Sequence, residues 1–183
     1  MPWELRCIQQ SGQSHFVTFC CYRRIENLGS ADARDVFEEA LERVRRCYDL
    51  RIYGYVAMPE HVHLLLSEPQ RKTLAVALKS LKQGISRRLI GDAEHFWQHR
   101  YYDFNIRDYR QFLEKLRYIH RNPVMRGLCE HPEQWQWSSY NHYATGIVGR
   151  VEIESEWTAN KRQRESGTLC PASTLPPSSQ EKA

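Results

Sequence analysis

The sequence predicts an α+β fold of the ferredoxin-like, split βαβ type: an antiparallel sheet with helices on one face and an extra C-terminal helix. Three observations lead there. Hydrophobic repeats of about 2 and about 3.6 residues alternate in the order β-α-β-β-α-β-α. The 183 residues suit one domain plus a tail. Hydrophobic residues are 41% and charged residues 26%, the balance of a folded chain, which excludes full disorder.

The elements follow in order. HFVTFCCY (15–22) is rich in β-branched and aromatic residues and reads as a strand. Ser30 and Asp32 are N-cap candidates for a helix over 33–48, where Val36, Phe37, Ala40, Leu41, Val44 and Tyr48 recur at helical spacing. RIYGYVAM (51–58) and HVHLLLS (61–67) read as two strands joined at Pro59-Glu60. Thr73 caps a second helix whose stripe is Leu74, Leu78, Leu81, Ile85 and Leu89, with Gly91 just past its end. FWQHRYYDFNI (96–106) reads as one strand. Asp108 opens a third helix, expected to end near Pro123 because proline removes a donor and clashes with the preceding turn.

Trp135, Trp137, Tyr140 and Tyr143 are expected to clamp the C-terminal segment onto the sheet. Residues 1–146 read as the folded domain and 147–183 as an extension. From about 158 the extension is too polar to bury a core and is expected to be disordered. No run of 18 apolar residues predicts a membrane helix, and the first residues do not resemble a secretion signal. The six cysteines form no C-x-x-C pair and read as reduced thiols of a cytoplasmic protein.

Charge is uneven. Residues 71–126 carry 13 Lys and Arg against 5 Asp and Glu, within a chain of net charge +4. Such a window fits either a polyanion partner or well-solvated helices.

Two features carry chemistry. His61 and His63 alternate along a strand and point to one face, while Val62, Leu64 and Leu66 point to the other. The pair either chelates one metal ion, with a third ligand from elsewhere and open positions for substrate oxygens, or simply sits on a half-exposed sheet. In the third helix the apolar stripe is Tyr109, Phe112, Leu113, Leu116 and Ile119. Tyr118 falls about 200° from Leu116, with Asn122 one turn on. Tyr118 is then either a surface tyrosine, one packed on the sheet, or a phenol nucleophile with Asn122 as the third metal ligand. A phosphotyrosine ester would conserve the energy of the phosphodiester it replaces. That suits a chain with no G-x-x-x-x-G-K-[ST] loop.

The runs YGYVAMPEHVHLLLSEP (53–69), FWQHRYYDFNIRD (96–108), LRYIHRNPVMRGL (116–128) and PEQWQWSSYNHY (132–143) occur together, with HFVTFCCYRR near the start. With them the chain resembles the REP-associated tyrosine transposases, HUH single-strand transposases with one catalytic tyrosine. The resemblance covers about residues 12–146. It implies that His61 and His63 bind Mg²⁺ or Mn²⁺ and that Asn122 is the third ligand. It implies that Tyr118 forms a 5′-phosphotyrosine link and leaves a 3′-OH. The implied substrate is single-stranded DNA beside a palindromic hairpin. Lys79, Lys82, Arg87, Arg88, Arg100 and Arg107 are then phosphate contacts, and Trp97, Tyr101 and Tyr102 stack on bases. Core packing is the alternative for each aromatic, and Glu60 either orients a histidine or simply sits in the turn. Monomer and homodimer both remain open, as do two rival functions: a non-catalytic ferredoxin-like nucleic-acid binder, and a metal hydrolase using water.

Overall fold

The computed structural model describes residues 13–91 and 95–167. The first half contains β1 (Ser14–Cys20), α1 (Ala31–Tyr48), β2 (Ile52–Ala57), β3 (His61–Ser67) and α2 (Leu74–Leu89). Then come β4 (Tyr102–Ile106), α3 (Tyr109–Met125), α4 (Tyr140–Thr145) and α5 (Glu156–Gly167). The strands form one antiparallel sheet in the order β2-β3-β1-β4. This is the split βαβ arrangement the sequence predicts. Ser30, Thr73 and Asp108 cap α1, α2 and α3 by accepting backbone N–H bonds from Ala33, Val76 and Gln111.

Strand alternation divides the sheet into two faces. Val17, Phe19, Val62, Leu64 and Leu66 are buried on the α1–α2 side. There Phe37 of α1 meets the ring of Tyr55, whose hydroxyl donates to Glu38 at 2.6 Å. The other face carries Phe16, Thr18, His61 and His63, and α3 lies across it. Gly54 of β2 makes that approach possible: a Cβ there would stand 2.7 Å from Leu116 Cδ1. Among the described residues, no helix is long and apolar enough to cross a membrane.

Two expectations are corrected, the strand over 96–106 and the lack of order past 158. The strand foreseen over 96–106 is two separate pairings. Trp97 bridges Cys21, with Tyr22 N donating to Phe96 O at 2.9 Å and Gln98 N to Cys20 O at 2.9 Å, and the regular strand starts only at Tyr102. Helix α3 ends near Pro123, as expected, taking the proline into its last turn and closing at Met125. A Gly-based C-cap closes the helix: Gly127 has φ +68°, its N–H donates to Val124 O, and Leu128 N–H donates to Pro123 O. Finally, regular structure persists past 158 as far as 167. Thr158 Oγ1 donates to Ile153 O, and Arg162 ion-pairs with Glu152 and Glu154, local bonds that composition does not reveal. Residues 168–183 lie outside the described residues.

The segment after 146 also joins the core. Val151 and Ile153 are buried, and Ile153 bridges Ile52. Trp135 and Trp137 do clamp the C-terminal segment. Their indole N–H groups donate to Ala57 O at 3.0 Å and Asp35 Oδ1 at 2.8 Å. The Arg34 guanidinium lies 4.9 and 3.9 Å from the two rings, a desolvated cation–π contact of about 2 kcal/mol. The four cysteines among the described residues that stand at 20, 21, 47 and 129 are free thiols; Cys7 and Cys170 lie outside.

Candidate active site

The site is a cavity between the sheet face and α3, lined by Phe16, Thr18, Cys20, Arg24, His61, His63, Tyr102, Lys115, Tyr118, Asn122 and Arg126. Strand alternation brings His61 and His63 side by side, with their Nε2 atoms 3.0 Å apart. Their other nitrogens are held from behind. His61 Nδ1 bonds Glu60 Oε1 at 3.0 Å, and His63 Nδ1 bonds Thr18 Oγ1 at 2.7 Å, since Thr18 stands opposite His63 in the sheet. Glu60 therefore orients a histidine as well as shaping the turn, and it also receives an N–H from Arg126.

Both rings are kept neutral. Burial lowers the His61 pKa, partly opposed by Glu60 and reinforced by Arg126 and Arg24. Burial, then His61, Lys115 and Arg126, push His63 down to about 3. With Nδ1 of His61 donating to Glu60, its Nε2 carries a lone pair. Thr18 can accept from His63 in the same way. With Thr18 accepting, two lone pairs stand 3.0 Å apart and a cation between them relieves their repulsion; with Thr18 donating, His63 Nε2–H bonds His61 Nε2 instead.

Helix α3 completes the site. Leu116, Ile119, Asn122 and Pro123 are buried on its sheet-facing side. Asn122 thus flanks the apolar stripe instead of lying opposite it, and Tyr109 at the stripe's start is 70% exposed. Asn122 Nδ2 lies 3.3 Å from His63 Nε2, and its Oδ1 is buried without a hydrogen-bond partner. The amide's two ends have nearly the same shape, so a flip aims that carbonyl at the histidines. Two neutral imidazoles and an orphaned amide oxygen fit a divalent cation. Among the described residues no three His, Cys, Asp or Glu side chains form such a group, so the remaining positions would fall to substrate oxygens or water.

Tyr118 is half exposed and reaches the same cavity from the flank of α3. Its ring stands edge-on to His63 at 5.1 Å and to Phe16 at 5.9 Å. Lys115, one turn earlier, holds its ammonium over Phe16 at 4.7 Å and Phe104 at 5.0 Å. The arrangement is a phenol, two imidazoles, an amide and three cations around one opening, suited to a phosphodiester.

Residues 9–122, which take in every residue of the constellation except Arg126, match the model of the family described as "Transposase IS200 like". The chain belongs to the IS200-like transposases. It is similar to a protein of Haemophilus influenzae described as a REP-associated tyrosine transposase, 27% identical over 118 residues. That match covers 57% of this chain and 67% of the relative. The REP-associated tyrosine transposase of Escherichia coli K12 is 22% identical over 107 residues, 58% of this chain and 64% of its own length. The chain thus spans about two thirds of each curated relative. The solved structure of a REP-associated tyrosine transposase bound to a REP hairpin shares the fold. Its TM-score is 0.68 at 21% identity, over 83% of this chain and 92% of that one.

Elsewhere in this transposase the foreseen nucleic-acid residues divide. Lys79, Lys82, Trp97 and Tyr101 line one groove beside α2, together with His95 and His99. Within it Lys82 Nζ donates to Gln98 O at 2.8 Å, and Trp97 Nε1 donates to Lys82 O at 2.9 Å. The Trp97 ring packs against Phe19 at 5.0 Å, so Trp97 and Lys82 tie the 95–101 segment to α2. Tyr102, 40% exposed, instead lines the cavity of His61, His63 and Tyr118. Arg87, Arg88, Arg100 and Arg107 are exposed and line neither, and Arg88 pairs with Glu39 at 2.7 Å. Sequence reasoning missed Thr18, Arg24, Lys115 and Arg126. Thr18 needs the β1–β3 register to be found. Lys115 sits one helical turn before Tyr118, a spacing visible in the sequence.

Proposed function

We propose that this transposase is a metal-dependent single-stranded DNA endonuclease and transesterase, which cuts and rejoins DNA next to a palindromic hairpin through a 5′-phosphotyrosine intermediate. The observation that carries the reading is the meeting of Tyr118, His61, His63 and Asn122 in one cavity. The Tyr118 oxygen loses its proton and attacks phosphorus. The P–O3′ bond breaks, and the leaving oxygen takes up a proton as a 3′-OH. The protein keeps the 5′-phosphate as an ester, and attack by a 3′-OH on that ester reverses the step. An Mg²⁺ or Mn²⁺ ion held by His61, His63 and Asn122 would draw charge from the phosphate and favour attack. The chain's own residues do the rest: Glu60 and Thr18 fix the imidazoles, and Lys115 and Arg126 add positive charge around the phosphate.

The hairpin is carried over from the solved relative, whose bound ligand is a REP hairpin. The groove of Lys79, Lys82 and Tyr101 is the candidate surface for it. The site of action is the cytoplasm, where the DNA is, and either a monomer or a homodimer satisfies the geometry of one chain.

The test is a denaturing gel with labelled hairpin DNA carrying single-stranded flanks, with and without Mn²⁺. The reading expects a protein–DNA band that survives detergent and depends on metal. Cut DNA with no attached protein would replace it with hydrolysis by water.

A further inference from the structure

The geometry points to a phosphodiester-binding clamp formed by Arg24 and Arg126 at the mouth of the catalytic cavity. It holds the backbone of the DNA strand as that strand leaves the tyrosine. The inference rests on the transesterase reading for its substrate; it adds Arg24 and pairs it with Arg126, already placed beside the phosphate, as one unit that holds the strand.

Four observations support it. Arg24 and Arg126 line the catalytic cavity and also the adjoining cleft of Glu26, Pro59, Glu60 and Leu128, so they stand on the rim the two share. The catalytic cavity is lined by Arg24, Lys115 and Arg126 and by no carboxylate, which suits a polyanion. Arg126 is oriented by its bond to Glu60, the carboxylate that also holds His61, while its side chain stays half exposed with donors to spare.

Arg24 is placed by backbone strain. It follows Arg23, and the two have φ of +56° and +50°, a left-handed pair that non-glycine residues adopt at a cost. The surrounding bonds hold this turn against the 59–60 turn. Cys21 N donates to Glu60 O at 2.8 Å, Leu28 N to Pro59 O at 2.9 Å, and Arg24 N to Cys21 O at 3.0 Å. The loop that carries Arg24 is thus tied to the same turn that carries Glu60 and, through it, Arg126. Two guanidiniums set this way offer forked donors to phosphate oxygens without contacting bases.

The experiment measures binding of a fluorescent oligothymidine across a salt series, in EDTA and in a Tyr118→Phe background, so that no bond is cut. Each phosphate contact on a single strand contributes about 0.7 to the slope of log K against log salt. Arg24→Ala and Arg126→Ala are each expected to flatten the slope by about 0.7, and the double variant by about 1.4. Arg110→Ala, on an 89% exposed α3 side chain, is expected to leave it unchanged. Glu60→Gln should also keep the slope. Unchanged slopes in Arg126→Ala overturn the clamp. Unchanged slopes in Arg24→Ala overturn it as well. The chemistry is scored separately by covalent adduct. Normal adduct with unchanged slopes sinks the clamp alone. Flattened slopes with no wild-type adduct sink the transesterase reading and leave the clamp standing.

Discussion

The ring of Tyr118 stands edge-on to the ring of His63, with centroids 5.1 Å apart, although the two residues come from a helix and a strand that are 55 positions apart in the chain. Phe16 supports both: it stacks on His63 at 5.5 Å and meets Tyr118 at 5.9 Å. The position of Tyr118 relative to the histidines is therefore set by packing on the sheet face. Tyr118→Phe preserves these ring contacts and removes only the oxygen. It is expected to bind hairpin DNA like the wild type, measured by gel shift, while forming no covalent adduct.

On the proposed reading, metal affinity depends on the residues behind the imidazoles. Glu60→Gln weakens the hold on His61 Nδ1, and Thr18→Val removes the partner of His63 Nδ1. Losses of such outer partners typically cost about 10–100-fold in metal affinity. Mn²⁺ titration followed by electron paramagnetic resonance should show that drop in each variant. His61→Ala and His63→Ala should lose Mn²⁺ binding more severely and lose cleavage with it.

Gly54 sets the height of α3 above the sheet. A branched side chain there meets Leu116 Cδ1 and Ser139 Oγ, which lie 2.7 and 3.4 Å from the first added carbon. Gly54→Val is expected to cost about 1–3 kcal/mol in urea unfolding. Because α3 carries Tyr118 and Asn122, cleavage in the folded variant should fall further than the lost stability explains. Equal cleavage per folded molecule would show that the helix height is not critical.

His120 gives a stability signature in pH. Burial pushes its pKa down to about 4, and its Nε2 bonds Ser139 Oγ at 2.9 Å. Its unfolded value is the ordinary one near 6.5, so the unfolded chain takes up the proton first. The His120 contribution is therefore intact above pH 6.5 and is lost progressively as pH falls toward 4. His120→Asn, which keeps a polar group for Ser139, should flatten unfolding stability across that window relative to wild type. An identical pH profile in both proteins would contradict it.

Much of this architecture was legible because local pattern and fold agree. Caps at Ser30, Thr73 and Asp108, alternation around His61 and His63, and helical spacing in α1 and α2 each act within a few residues. The end of α3 was legible near Pro123, while the residue that closes it, Gly127 with its positive φ, was not. The burial of Asn122 was hidden because the wheel was centred on Leu116 and Ile119, whereas the helix presents the side between Ile119 and Asn122 to the sheet. Thr18, Arg24 and Arg126 reach the site through strand register, a left-handed turn and a helix end. These are long-range consequences of folding that no local pattern encodes. In α5, Arg162 meets Glu152 and Glu154 and Thr158 bonds Ile153 O, pairings that composition averages away.

The most direct measurement is peptide mapping of the adduct trapped on hairpin DNA in Mn²⁺. After trypsin, mass spectrometry is expected to find the nucleotide on the peptide that begins at Tyr118, released by cleavage after Arg117. A nucleotide on another tyrosine of the cavity, such as Tyr102, or cleaved DNA with every tyrosine unmodified, would contradict the account.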